Sequence, residues 1–457
     1  MKRKLVSIIL VAVLCTSLLA GCGAKKETAG TNVTADDAAD NKSSNKDMVT
    51  IRFWGGVPPE TGPQDVVDRF NEEYKDKGIQ VEYERYVNDD QGNLKLETSL
   101  LAGSDIDVYV SYGTYKMQKR AEGGMALDLS ELMTRDNFDY EGMFGSDVKA
   151  DYINGKPYSI ASVITKGTLL LNKDMFDAAG IAIPTEWTFD EFREVCKKLT
   201  KGEGQDKVYG MFWNTQQNIT EYWLYLAMQT LGGNPLYKEG GKETNFDNDV
   251  LKKTAELVYN TMNVDKTAPT HVDSITQKLT QESMFLTGHS AMIVGNWAIR
   301  SVKDKEQYPH DFVTAYAPYP VISKDQRNYV YGGLGDEISI NPKSENVDAA
   351  WEFVKWYTQD GVSSMAAGGR IALCNKVDKN VLAESFSKGA EDLIDMDSAK
   401  ALVFPVGGEK LTIPTITTSL PEIQKILAEE TEAYFTDQKD LDTAFADAKS
   451  RSDELLK

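Results

Sequence analysis

The sequence predicts an α/β protein, and three observations carry that prediction. Apolar residues alternate at period two over 48–54, 79–83 and 106–110, helical spacing fills the gaps between them, and the middle and end hold capped helical segments. In the first segment Val49, Ile51 and Phe53 share one face and Thr50, Arg52 and Trp54 the other, with Gly55-Gly56 ending the strand. A helix over 62–74 follows, its apolar face made by Val66, Val67, Phe70 and Tyr74. Ile79, Val81 and Tyr83 give a second strand, 94–101 a second helix closed by Gly103, and Ile106, Val108 and Val110 a third strand. Strand, helix, strand, helix, strand is the rhythm of a parallel sheet with right-handed crossovers.

Further along, 172–180 reads as a short helix ending in glycine. Thr188 and Glu191 have capping-box spacing ahead of Phe189, Phe192, Cys196 and Leu199. A short apolar run, 291–294, precedes Gly295-Asn296-Trp297, and 312–321 is extended around two prolines. Ala350, Val354 and Tyr357 mark another helix before Gly361, and 420–456 holds two more.

The first residues are a leader rather than part of the fold. Lys2, Arg3 and Lys4 precede an almost unbroken apolar stretch, 5–20, which ends in Leu19-Ala20-Gly21-Cys22. At 1.5 Å per residue that stretch reaches only about 24 Å, short of the roughly 30 Å hydrocarbon core of a bilayer. Residues 1–21 are therefore expected to be a cleaved signal peptide, leaving Cys22 as an acylated N-terminus that anchors the chain. Residues 22–47 lack aromatic side chains and carry one branched apolar residue, so they are expected to be a flexible tether. The formal charge of −20 argues against nucleic acid or an anionic bilayer as partner of the folded body. Once the leader is cut and Cys22 acylated, only Cys196 and Cys374 remain, which excludes a disulfide framework.

Six segments in order resemble the family-1 extracellular solute-binding proteins, the group of maltose- and multiple-sugar-binding receptors. They are TIRFWGG (50–56), KLETSLLAGSDIDVYV (95–110), NGKPYSI (154–160), LLLNKDMFDAAGIAIPTEWTFDEFREVCKKLT (169–200), FLTGHSAMIVGNWAI (285–299) and GGLGDEISINPKSENVDAAWEFVKWYT (332–358). The resemblance implies a two-lobe fold of the periplasmic-binding-protein type II, with a ligand cleft between lobes joined by hinge strands. Lobe one would be 48–160 and 315–372, and lobe two 161–314 and 373–457. It also implies a lipoprotein on the outer face of the cell membrane. Such a chain captures a small solute, a sugar first of all, and passes it to the transmembrane subunits of an ABC permease. It is expected as a monomer with no cofactor and no metal.

A sugar offers hydroxyls and a weakly apolar ring face, so its site needs aromatic plates beside short polar groups. Asp107 is a candidate because the packed face is Ile106, Val108 and Val110, which points its carboxylate the other way near a strand end, where open α/β sheets bind ligands. It also matches the carboxylate of the family's proline-aspartate-valine pattern, although Ile106 replaces the proline. Trp297 matches a position that stacks on sugar in maltose-type members. Trp54 at its strand end, Glu60 in the following loop and Tyr112 beyond the third strand are candidates for the cleft wall. One of Trp213 and Trp223 is a candidate too, with helical spacing making Trp223 the core residue. Asp336 or Glu337, in a glycine-rich stretch that permits close backbone approach, can supply a carboxylate, and Arg370 can pair with such an acid.

Rival classes have little to stand on. GHSAM (288–292) half-resembles a nucleophile elbow, but Met292 stands where close packing needs glycine. His271, His289 and His310 have no metal-ligand spacing. Among 70 acids some pair always looks like a glycosidase dyad, so spacing alone does not establish one. A receptor for a polyamine, a peptide or a metal complex is the alternative that the residues leave open.

Overall fold

The computed structural model describes residues 48–457 apart from 104, 217, 296–297, 405–409 and 416–417. The expected leader, the tether and the anchor residue Cys22 lie outside the described residues, as does Trp297.

Strands β1 (Val49–Gly55), β2 (Ile79–Arg85) and β3 (Val108–Ser111) are parallel, with Ile51 opposite Val81 and Phe53 opposite Val108. Their crossovers are the helices Pro63–Tyr74 and Asp90–Ala102. Asp89 caps the second helix by accepting from Gly92 N, and Gly103 closes it at φ 73°, a left-handed turn that favours glycine. The front of the chain folds as the alternation of its apolar residues predicts.

Six further strands complete two sheets: β4 (Ile160–Lys166), β5 (Thr168–Asn172), β6 (Met292–Val294), β7 (Thr314–Pro318), β8 (Gly332–Ile340) and β9 (Ile371–Ala372). The larger sheet has the order β2-β1-β3-β8-β4-β9, with β8 antiparallel to both neighbours. The smaller, β6-β5-β7, is antiparallel throughout. The chain crosses from the first sheet to the second at Gly167, whose N–H bonds Tyr331 O at 2.8 Å, and returns between Pro318 and Gly332.

These crossings differ from the expected lobe limits of 160/161 and 314/315. β4 stays with the first sheet because its backbone pairs with β8, whereas β7 joins the second by pairing with β5. Alternation along β5 fixes the second sheet between two cores. Leu169 and Leu171 face a cluster with Trp187, Phe192 and the helices Leu420–Phe435 and Leu441–Asp453. Leu170 faces the other cluster, which runs through Tyr316, Phe386 and Phe404 to Phe53, Phe70 and Phe353 of the first sheet. Apolar residues of 382–404 thus share the first sheet's core, although 373–457 as a whole is expected in lobe two. Thr188 and Glu191 form the expected capping box, and Cys196 and Cys374 are free, buried thiols.

Candidate functional site

In the parallel strands the carboxyl ends of β1 and β3 point to one edge of the sheet, where Gly56, Tyr112 and Arg85 come together. Tyr112 fixes this edge: its hydroxyl accepts from Gly56 N at 2.6 Å. Burial, and then the charge of Asp336, push its phenol well above the ordinary range, so the ring is a neutral wall. Arg370 lies against that wall, with Cζ 5.8 Å from the Tyr112 centroid, and donates from Nε to Asp336 Oδ2 at 2.7 Å. Of the expected site residues, Tyr112, Asp336 and Arg370 are therefore brought together.

Glu337 is adjacent in sequence to Asp336 but fully buried on the other side of β8. Its Oε2 accepts from Gly113 N at 3.1 Å, while Oε1 has no hydrogen-bond partner among the described residues. Asp151, from the 3-10 turn Ser146–Asp151, accepts from Thr114 Oγ1 at 3.1 Å and likewise leaves Oδ2 unpaired. Burial pushes Asp151 up to about 6, and burial with the charge of Asp151 pushes Glu337 well above the carboxylate range. Two buried acids that cannot both ionise favour one shared proton. Glu337 thus supports the floor of the Tyr112 edge and is closed to solute.

Three expected site residues are packed elsewhere. Trp54, expected on a cleft wall, is 8% exposed among Leu96, Leu100 and Tyr109, with Lys95 Nζ 4.8 Å from its ring centroid. The helix Asp90–Ala102 covers that face of β1, so the second face of the alternation is core and not solvent. Asp107 stands at the amino end of β3, away from the Tyr112 edge. It accepts from Arg52 N at 2.9 Å, from the Ser344 hydroxyl and from Asn346 Nδ2 at 3.5 Å, which ties the loop after β8 to β1. Trp213 is 1% exposed, donates to Thr261 Oγ1 at 3.0 Å and packs on Phe192 and Tyr222. Trp223 is core, as its spacing predicts.

Glu60 is exposed on the 3-10 turn Pro59–Thr61 and lines a groove of ≈ 900 Å³. One wall is the loop after β1 with the start of helix Pro63–Tyr74; the other is the helix Ile299–Lys303 and the turn to Tyr308. The first wall follows β1 of the larger sheet and the second follows β6 of the smaller one, while Ile299 and Val302 pack into the cluster that holds Phe53 and Phe70. A concave groove of this kind is where small-ligand sites form. Arg300 and Lys303 project from the second wall. Lys303 gives its ammonium to Ala367 O at 3.0 Å, and burial lowers it to about 8. Near the crossing strands, Tyr225 stacks on Tyr331 with centroids 4.0 Å apart, and Tyr319 lies 5.8 Å from Tyr331.

A family model of bacterial extracellular solute-binding proteins matches residues 56–363. The chain belongs to that family. It is 28% identical to the maltotriose-binding protein of Pyrococcus abyssi over 270 residues, 58% of this chain and 53% of that protein, so the match spans about half of the relative's length. Among solved structures, the ABC substrate-binding protein of Listeria monocytogenes in complex with cycloalternan superposes with a TM-score of 0.70 at 18% identity, covering 90% of this chain and 99% of the other. A sugar transporter of Rhizobium etli in an open conformation gives 0.69 at 18%, covering 89% and 99%. These likenesses establish the two-lobe α/β fold of the periplasmic-binding-protein type II.

As a solute-binding protein the chain is not an enzyme, and its hydrolase-like motif has other work. Ser290 is buried and gives its hydroxyl to Met292 O at 2.7 Å, while His289 bonds Thr287. Sequence reasoning missed Arg300 and Lys303, because each is an ordinary surface-type cation until the fold brings it to the groove. The one available signal was position: Arg300 comes three residues after Trp297, in a segment that resembles the family. It also missed the Tyr225–Tyr331 stack, whose members lie far apart in sequence.

Proposed function

We propose that this chain captures a carbohydrate outside the cytoplasm and delivers it unchanged to an ABC-type permease, held at the membrane by lipid on Cys22. The observation that carries the reading is the groove of ≈ 900 Å³ between the loop after β1 and the helix after β6, in a member of the solute-binding family. Two of the similar proteins, a maltotriose-binding protein and a substrate-binding protein in complex with cycloalternan, support a saccharide as the solute. Glu60 supplies a hydroxyl acceptor on one wall, Tyr112 and Arg370 a flat face and a donor, and Trp297 the stacking plate of the second lobe. The lobes meet at Gly167 and at 319–331, and solute shifts them toward a closed form that the permease reads.

A thermal-shift screen of the full chain against mono- and oligosaccharides, polyamines and short peptides tests this. A bound saccharide raises the melting temperature by mass action, as RT ln(1 + [L]/Kd). Stabilisation by a polyamine or a peptide with none by any saccharide overturns it.

A further inference from the structure

The groove has a floor as well as two walls. The floor is the 3-10 stretch Gly361–Gly368, which lines the groove through Ser364 and Ala367. The first wall is locked to it. Arg69 donates from Nη1 to Ser363 Oγ at 3.0 Å and to Ser364 Oγ at 2.9 Å, and Asp65 accepts from the Ser364 hydroxyl. Backbones also meet there: a Cβ added at Gly62 would lie 2.9 Å from Met365 Cα, and one at Gly368 2.7 Å from Thr61 O.

The second wall reaches the floor through an ammonium. Its helix, Ile299–Lys303, has five residues, too few to hold an orientation without tertiary contacts. Ile299 and Val302 bury one face of it. Lys303 donates from Nζ to Ala367 O at 3.0 Å, with Ser385 O of the helix Lys379–Ser387 at 3.5 Å. Lys303, Ala367 and Ser385 all line the groove, so three elements meet at this ammonium. Arg300, three residues earlier on the same helix, also lines the groove and makes no hydrogen bond or ion pair among the described residues. Its N–H donors are open to solute hydroxyls.

An ammonium is an unfavourable choice for a purely structural tie. Lys303 is half-buried, has carbonyls for partners and makes no ion pair among the described residues. Burial works against its charge, and an apolar side chain of equal length would fill the space without that loss. What the ammonium adds is a charge-assisted bond that fixes the helix over the floor.

We infer that Lys303 is a positioning residue for the solute: its bond to Ala367 sets the distance between second wall and floor and aims Arg300 into the groove. Saccharide affinity therefore depends on Lys303. This rests on the carbohydrate reading above, with the groove as the site.

The test is calorimetric titration of the full chain with glucose, maltose, maltotriose, cellobiose, xylobiose and cycloalternan, beside thermal melting without solute. Lys303→Met keeps the side-chain length and removes the donors. It should weaken binding of the saccharide that the wild-type chain takes by about tenfold or more, while the melting temperature of the unliganded chain stays level or rises. Lys303→Arg keeps a donor for Ala367 O and should recover most of the affinity. Because Lys303 acts through Arg300, adding Lys303→Met to Arg300→Gln should weaken binding little further than Arg300→Gln alone. A merely structural tie would not give that non-additivity. Unchanged affinity in Lys303→Met, a loss that comes with a lowered melting temperature, or fully additive losses overturns the inference and leaves the carbohydrate reading standing. A wild-type chain that binds none of these saccharides overturns both.

Discussion

Arg370 and Asp336 form a pair at 2.7 Å in which the cation is flattened against Tyr112 and the acid stands at φ 47°. The Asp336 carbonyl also accepts from Ser162 Oγ at 2.8 Å, so one residue joins β8, β4 and the segment before β9. Burial raises the Asp336 carboxyl while Arg370 lowers it, and the net direction is upward. The pair is thus a positioning device that holds the cation against Tyr112.

Removing one partner should be costly. Asp336→Ala leaves a mostly buried guanidinium alone and adds backbone strain at a left-handed position, so stability should fall by about 3 kcal/mol in denaturant unfolding. Asp336→Asn tolerates that backbone and keeps an acceptor, so it should lose less. Equal losses in the two variants would show that the lost charge, and not the acceptor or the left-handed backbone, is what matters there.

The buried acids Asp151 and Glu337 make a pH prediction. Their folded pKa values lie above the unfolded ones, so the native chain holds the extra proton between the two. Stability from this pair is complete below about 4 and is lost as pH rises through about 6, given the Asp151 shift from 3.8. Glu337→Gln keeps an acceptor for Gly113 N and gives Asp151 a donor, so it should stabilise the chain by about 1–3 kcal/mol at pH 7. It should also flatten the decline, measured as unfolding free energy against pH.

Gly167 stands where the chain crosses between sheets. A Cβ there would lie 2.2 Å from Tyr331 Cδ1 and 2.7 Å from Tyr319 Cε2, so Gly167→Ala forces two packed rings to move. Overpacking of this kind costs about 1–3 kcal/mol, and the shifted crossing should weaken solute binding as well. Thermal melting and calorimetric titration read the two effects, and wild-type values in both would contradict the account of the crossing.

Trp213 is a core residue, so its substitution should be read in stability. Trp213→Ala should cost about 3–5 kcal/mol, while Trp213→Phe loses the bond to Thr261 but leaves solute affinity unchanged. A selective loss of affinity in Trp213→Phe would return it to the binding site.

Local signals made much of the fold legible. Period-two runs at Val49–Phe53 and Ile79–Tyr83, the Gly103 stop and the Thr188–Glu191 box depend on neighbours in sequence, and each is found in place. β8 was hidden because Gly332, Gly333 and Gly335 read as a loop. In the fold Gly332 lets β8 lie close to β4, where an added Cβ would sit 2.1 Å from Thr165 O. The site was less legible for a related reason. Trp54 and Asp107 were assigned from strand alternation, which does not say whether a helix covers the second face or which strand end faces the groove. Arg300 carries no local signal, since its place on the groove wall exists only in three dimensions.

The proposed function requires that the chain hold a saccharide in the groove bordered by Glu60 and Arg300 and leave it chemically intact. Equilibrium binding followed by mass spectrometry of the recovered ligand tests this most directly. One saccharide per chain, recovered at unchanged mass after prolonged incubation, is the predicted result. Cleaved or altered products, or no saccharide bound at all, would contradict it.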